Sequence, residues 1–163
     1  MWEPFFVASS GASAPLAGLI FVAISINLDH ILETPGLDRR ALEAVSLLIS
    51  ALVLSLLVLI PEQPPVLFAG EAGVTGLTLA VLTTRSTIHA RRIWRSHPYN
   101  FALKVILAVV SVPPYFFVAV TALQSAPSLG WLAAAVVLSI VSAAVSAWVL
   151  LVEIQRDQPR RRT

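Results

Sequence analysis

Apolar residues in this chain fall in long, nearly unbroken blocks, unlike the one-sided stripes of a water-soluble helix or the alternation of a half-buried strand. Five blocks reach a length that crosses about 30 Å of hydrocarbon at about 1.5 Å per helical residue. They cover 5–28, 44–60, 66–84, 105–123 and 129–152. The pattern predicts an all-α fold: one polytopic transmembrane helical bundle of five spans over 1–155, followed by a basic tail at 156–163.

The breaks between blocks are short. TPGLDRR is a Pro-Gly turn whose Leu37-Asp38 step can open the second helix, PEQPP at 61–65 reads as a tight hairpin, and APSLG at 126–130 is a polar turn without charge. Only RSTIHARRIWRSHPYNFALK, 85–104, is long enough for further structure. Ala90, Ile93, Trp94 and His97 share one helical face there, with arginines around the rest. This predicts a helix that leaves the membrane and lies at the headgroups.

Composition sharpens this picture. Hydrophobic residues make up 57% of the 163 and charged residues 12%, against about 25% charged in soluble domains. With no cysteine, disulfides, thiolate metal sites and cysteine nucleophiles are excluded. The opening MWEPFF carries an acid instead of a basic leader region, so the first block is expected to stay as a span.

A pI near 9.7 invites a nucleic-acid reading, which the placement of the charges removes. All 11 Lys and Arg residues fall on one side of a five-span arrangement. The positive-inside rule then sets the N-terminus outside and the C-terminus in the cytoplasm. Arg91, Arg92 and Arg95 in the third connection, and Arg160, Arg161 and Arg162 in the tail, are candidates for contact with lipid headgroups or a partner. They serve equally well as ordinary topology determinants.

Candidate chemistry is sparse. SSGASAPLAG, 9–18, places Ser9, Ser13 and Ala17 on one face of the first span and Gly11 and Gly18 on another. Similar seams occur at Ser46 and Ser50, and at Ala135, Ser139, Ser142 and Ser146. Small residues let helices in lipid approach closely, and so many seams predict a homo-oligomer. Pro15 removes a helical donor and frees the carbonyl of Gly11, and Pro113 and Pro114 do the same for Val109 and Val110. Broken helices in two halves of a chain point to a transport site. IFVAISINL at 20–28 and FFVAVTALQ at 116–124, on oppositely directed spans, fit an inverted repeat.

Glu71 is the acid set deepest in a predicted span, with no Lys or Arg on that side to neutralise it. It is the candidate proton or cation site, facing Ser9, Ser10, Ser13 and the Gly11 carbonyl. Asn27, Asp29 and His30 form a polar cluster at the inner end of the first span. With His89 and His97 they raise the idea of a metal, but no compact metal-binding motif is present, and neither metal nor other cofactor is expected. The absence of G-x-S-x-G, H-E-x-x-H and paired catalytic carboxylates argues against an enzyme.

The stretches FFVASSGASAPLAGLIFVAISINLDHIL and PGLDRRALEAVSLLISALVLSLLVLIPEQ resemble a family of small, uncharacterised polytopic proteins of the bacterial inner membrane, common in actinobacteria. The resemblance covers about residues 5–63 and the rest matches mainly in hydropathy. Some members carry the label of modulator of a membrane-bound ATP-dependent protease. The resemblance implies a bacterial inner-membrane location and brings no catalytic residues. Where members often have Ala, this chain has Pro15.

Two functions stay open from the residues: a small proton- or cation-conducting channel or simple transporter, and an accessory subunit that binds another membrane protein. A conductor needs polar groups continuous across the membrane. The first span carries no polar side chain from Leu16 to Ile24, which makes that stretch either a hydrophobic gate or a closed route.

Overall fold

The computed structural model describes residues 1–34, 36–93, 98–124 and 128–157, with backbone alone at 89–93, 98–101, 103–104 and 153–157. These form seven helices: α1 (Glu3–Ile26), α2 (Leu28–Glu33), α3 (Leu37–Leu57), α4 (Pro65–Ile93), α5 (Pro98–Ser111), α6 (Pro113–Leu123) and α7 (Leu129–Asp157). No strand occurs among the described residues. Five stretches are long and apolar enough to cross a membrane: Glu3–Ile26, Leu37–Leu57, Pro65–Ile88, Val105–Leu123 and Leu129–Val152. The chain is a multi-pass, all-α membrane protein.

The second span starts earlier than its apolar block. Gly36 sits at φ 92°, a left-handed turn open to glycine, and α3 begins immediately after it at Leu37. Asp38 in the first turn complements the positive end of the helix dipole. A helix start here draws Arg39, Arg40 and Glu43 onto α3, ahead of the block predicted at 44–60. Hydropathy discounts these residues, whereas helix propensity favours them.

Prolines act differently in the two spans that hold them. Pro15 lies inside an uninterrupted α1. Pro113 and Pro114 open α6 instead, so the fourth span is two helices joined at Val112. Proline in the first turn of a helix replaces a donor that would lack a helical partner anyway. Val112 keeps right-handed angles, and its N–H still reaches Ala108 O at 3.3 Å.

Helices α3, α4, α5/α6 and α7 pack in a ring, each against the next, and α7 closes back on α3. Helix α1 lies outside the ring, mainly on α3 and less on α7. Gly76 on α4 lies close against α6, where a Cβ would stand 3.0 Å from Tyr115 Cβ. One end of the bundle gathers Arg39, Arg40 and Arg85, and is called the basic end below. The opposite end carries Trp2, Phe5 and Phe6 in mutual contact, the Phe117–Trp131 ring pair at 4.8 Å, and the 58–64 hairpin with Glu62 at φ 55°. Amphipathic rings such as those of Trp2 and Trp131 favour the membrane–water boundary.

The long helix α4 runs without interruption to Ile93, past the end of its candidate span. The surface helix expected beyond it falls on Trp94, Arg95 and His97, outside the described residues, and the side chains of Arg91 and Arg92 are outside them too. The same holds for Arg160, Arg161 and Arg162.

Candidate functional site: a buried polar seam

Charged residues seldom lie on the buried stripe of a membrane helix, because removing them from water costs several kcal/mol per ion unless they are paired and hydrogen-bonded. Helix α3 carries two there. Its buried stripe runs Leu37, Arg40, Ala41, Glu43, Ala44, Leu47, Leu48, Ala51, Leu54 and Ser55, at the spacing of one helical face. Arg40 is 8% exposed and Glu43 6%. Glu43 stands about 9 Å along the axis from Leu37, inside the candidate span.

The Glu43 carboxylate accepts a hydrogen bond at 2.7 Å from Ser86 Oγ of α4, a buried pair joining two ring helices. Glu43 also lines a cavity of about 40 Å³ whose other walls include Arg40, Thr83, Ser111, Ser142 and Ser146. That volume holds a few water molecules. Arg40 and Glu43 thus both line one water-sized space, and opposite charges in one such space offset part of each other's desolvation.

Hydroxyls continue the seam towards the middle of the bundle. Ser111 Oγ donates to the Leu107 carbonyl at 2.7 Å. A hydroxyl has one proton, so Ser142 is the donor in the 2.5 Å contact between Ser142 and Ser111. One helical turn further on, the Tyr115 hydroxyl and Ser139 Oγ pair at 2.6 Å. Tyr115 is fully buried. Beyond this rung the ring core is apolar, with Leu54, Val118, Ala122, Leu132, Ala135 and Val136 closing it. Ser55 is the buried exception, and its Oγ has no partner among the described residues.

At the opposite end Glu71 is half-buried on α4, and Gln63 Nε2 of the preceding hairpin donates to its Oε2 at 2.6 Å. The serines expected to face it are elsewhere. Ser9 and Ser13 are buried on α1, which packs on α3 and α7, and Ser13 Oγ donates to the Ser9 carbonyl at 2.8 Å. Ser10 Oγ turns back to the Val7 carbonyl at 2.9 Å. Gly11 is exposed, with open space where a Cβ would be. Local back-bonding of this kind satisfies serine within its own helix.

The inner cluster has a structural role as well. Asn27 ends α1, and its Nδ2 donates to the Ala23 carbonyl at 2.8 Å. Asp29 is exposed on α2, and His30 Nε2 is buried without a partner among the described residues. No group of three potential metal ligands occurs among the described residues.

The principal residues of the seam were not singled out by sequence. In the sequence Glu43 falls just outside the 44–60 block and Arg40 in the basic TPGLDRR turn. The signal that finds them is periodicity from the true helix start: Leu37, Arg40, Ala44, Leu47, Ala51 and Leu54 recur at three and four, with Glu43 beside them. Ser111 and Tyr115 likewise stand four apart, opposite the Ser139–Ser142 seam. No protein-family model, curated protein or solved structure matches the chain.

Proposed function

We propose that this protein is a gated proton- or small-cation-conducting membrane protein whose ion site is Glu43. The observation that carries the reading is a carboxylate buried on a span, hydrogen-bonded by Ser86 and opening on a water-sized cavity beside Arg40. A buried ionisable group in a span is expensive and so points to function by default. The cavity admits water and excludes metabolite-sized solutes, which restricts the cargo to a proton or a largely dehydrated cation.

In this reading the basic end faces the cytoplasm of a bacterial inner membrane, as the positive-inside rule sets it. The vestibule leads from Arg40 and Glu43 through the Ser111–Ser142 rung to Tyr115 and Ser139. The apolar core beyond is the gate, and Glu71 with Gln63 marks the outer mouth. A proton waits at Glu43 until the gate hydrates.

Flux in proteoliposomes tests this. Wild-type protein is expected to pass protons under an imposed potential. Glu43→Gln, which keeps shape and hydrogen bonding, is expected to lower that flux at least about tenfold, a barrier change of about 1.4 kcal/mol. Glu71→Gln should stay within about threefold of wild type. Loss of flux with Glu71→Gln alone would move the site to Glu71, and a silent wild type would sink conduction.

The accessory-subunit reading keeps one observation of its own. The outward face of α1 shows Gly11 and Gly18 with nothing within 4 Å of either Cβ position. A neighbouring helix from a second copy or another membrane protein would fit closely there. Co-purification of a partner, lost with Gly11→Leu and Gly18→Leu, would support it.

A further inference from the structure

We propose that the cleft between α3 and α4 at the basic end binds the phosphate of an anionic phospholipid. The cleft measures about 500 Å³ and is lined by Arg39 and Leu42 of α3 and by Leu82, Arg85 and Ser86 of α4. Two arginines from neighbouring helices therefore line one space, and no carboxylate among the described residues lines it. Both arginines are exposed. Arginine presents a planar fork of N–H donors that matches a phosphate.

The third polar side chain is already committed. Ser86 gives its proton to Glu43 on the other side of the helix contact, so the two arginines supply the anion contacts. Depth favours a lipid over a soluble anion. Arg39 is within a turn of the start of the candidate span Leu37–Leu57, and Arg85 within a turn of the end of Pro65–Ile88. That is the level at which lipid phosphates meet the hydrocarbon. The walls below are leucine, and exposed Ile49, Val53 and Val81 continue along the same two helices, offering an apolar track for acyl chains. Two positive charges, with no acidic side chain among the described residues lining the cleft, select an anionic headgroup over a zwitterionic one, which brings its own cation.

The test is native mass spectrometry of the delipidated full chain, titrated with phosphatidylglycerol or phosphatidylcholine of matched acyl chains. Wild type is expected to hold phosphatidylglycerol at least about tenfold better. Arg39→Gln and Arg85→Gln should each weaken it about fivefold, near the usual worth of a basic residue at an anionic surface, and the double variant should fall to the phosphatidylcholine level. Lys104→Gln with Arg156→Gln, which removes as much charge at two other sequence positions, should change binding less than about twofold, with folding of every variant checked by circular dichroism. Equal binding of the two lipids overturns the proposal. So does an equal loss in the Lys104/Arg156 variant, which would mean diffuse charge. Displacement of lipid by about 10 mM inorganic phosphate would show a soluble-anion site and overturn it too. The lipid preference and the phosphate competition are read on wild type alone.

Discussion

The most apolar stretches of α1 and α3 have nearly the same mean hydropathy, yet the two helices occupy opposite positions in the bundle. Of the most apolar stretch of α1, 6% lies buried, against 50% for α3. Hydropathy reports whether a segment leaves water and says nothing of what it packs on, since lipid tails are as apolar as leucine. The difference comes from small and polar side chains. Helix α3 presents Ala41, Ala44 and Ala51 to its neighbours with Glu43 bonded among them, while the glycines of α1 point away from the chain.

The sharpest way to break this comparison is to add bulk to both helices. Ala51 is fully buried on α3 and Ala14 is exposed on α1. Ala51→Leu is expected to cost about 3 kcal/mol through overpacking, and Ala14→Leu to stay within about 0.5 kcal/mol. Unfolding in mixed detergent micelles, followed by circular dichroism, reads both. Equal effects would mean that α1 is as enclosed as α3, as it would be inside an oligomer.

Glycines sharpen the contrast at smaller scale. Gly76→Ala sets a Cβ 3.0 Å from Tyr115 Cβ, an atom that cannot swing away, and should destabilise by about 1–2 kcal/mol. Gly11→Ala meets open space and should gain up to about 1 kcal/mol from helix propensity. The same unfolding assay is expected to give opposite signs.

The seam predicts a lesser loss. Ser139→Ala removes the partner of the buried Tyr115 hydroxyl and should cost about 0.6–1 kcal/mol, the usual range for hydrogen bonds between membrane helices. Tyr115→Phe in the same background should then add little, because the two residues form one interaction. The smallest effect concerns the hairpin. Glu62 holds φ at 55°, so Glu62→Gly is expected to stabilise by up to about 0.5 kcal/mol by relieving a left-handed conformation.

What sequence determined by itself is set by one-dimensional physics. Five apolar blocks gave five helices able to cross a membrane, because a backbone in hydrocarbon must satisfy its own hydrogen bonds and each block is long enough to do so. The prolines alone did not decide the breaks, since the same missing donors occur at Pro15, where α1 runs on, and at Pro113–Pro114, where α5 ends and α6 begins. Which faces meet was a matter for tertiary structure. Nothing local says that Gln63 donates to Glu71, that Ser9 and Ser13 are buried, or that Ser86 donates a hydrogen bond to Glu43, 43 residues away. Those outcomes depend on which small residues allow two backbones to close. The polar side chains left at each closure then find partners from other helices, because in a bundle that excludes water an unpaired group is costly.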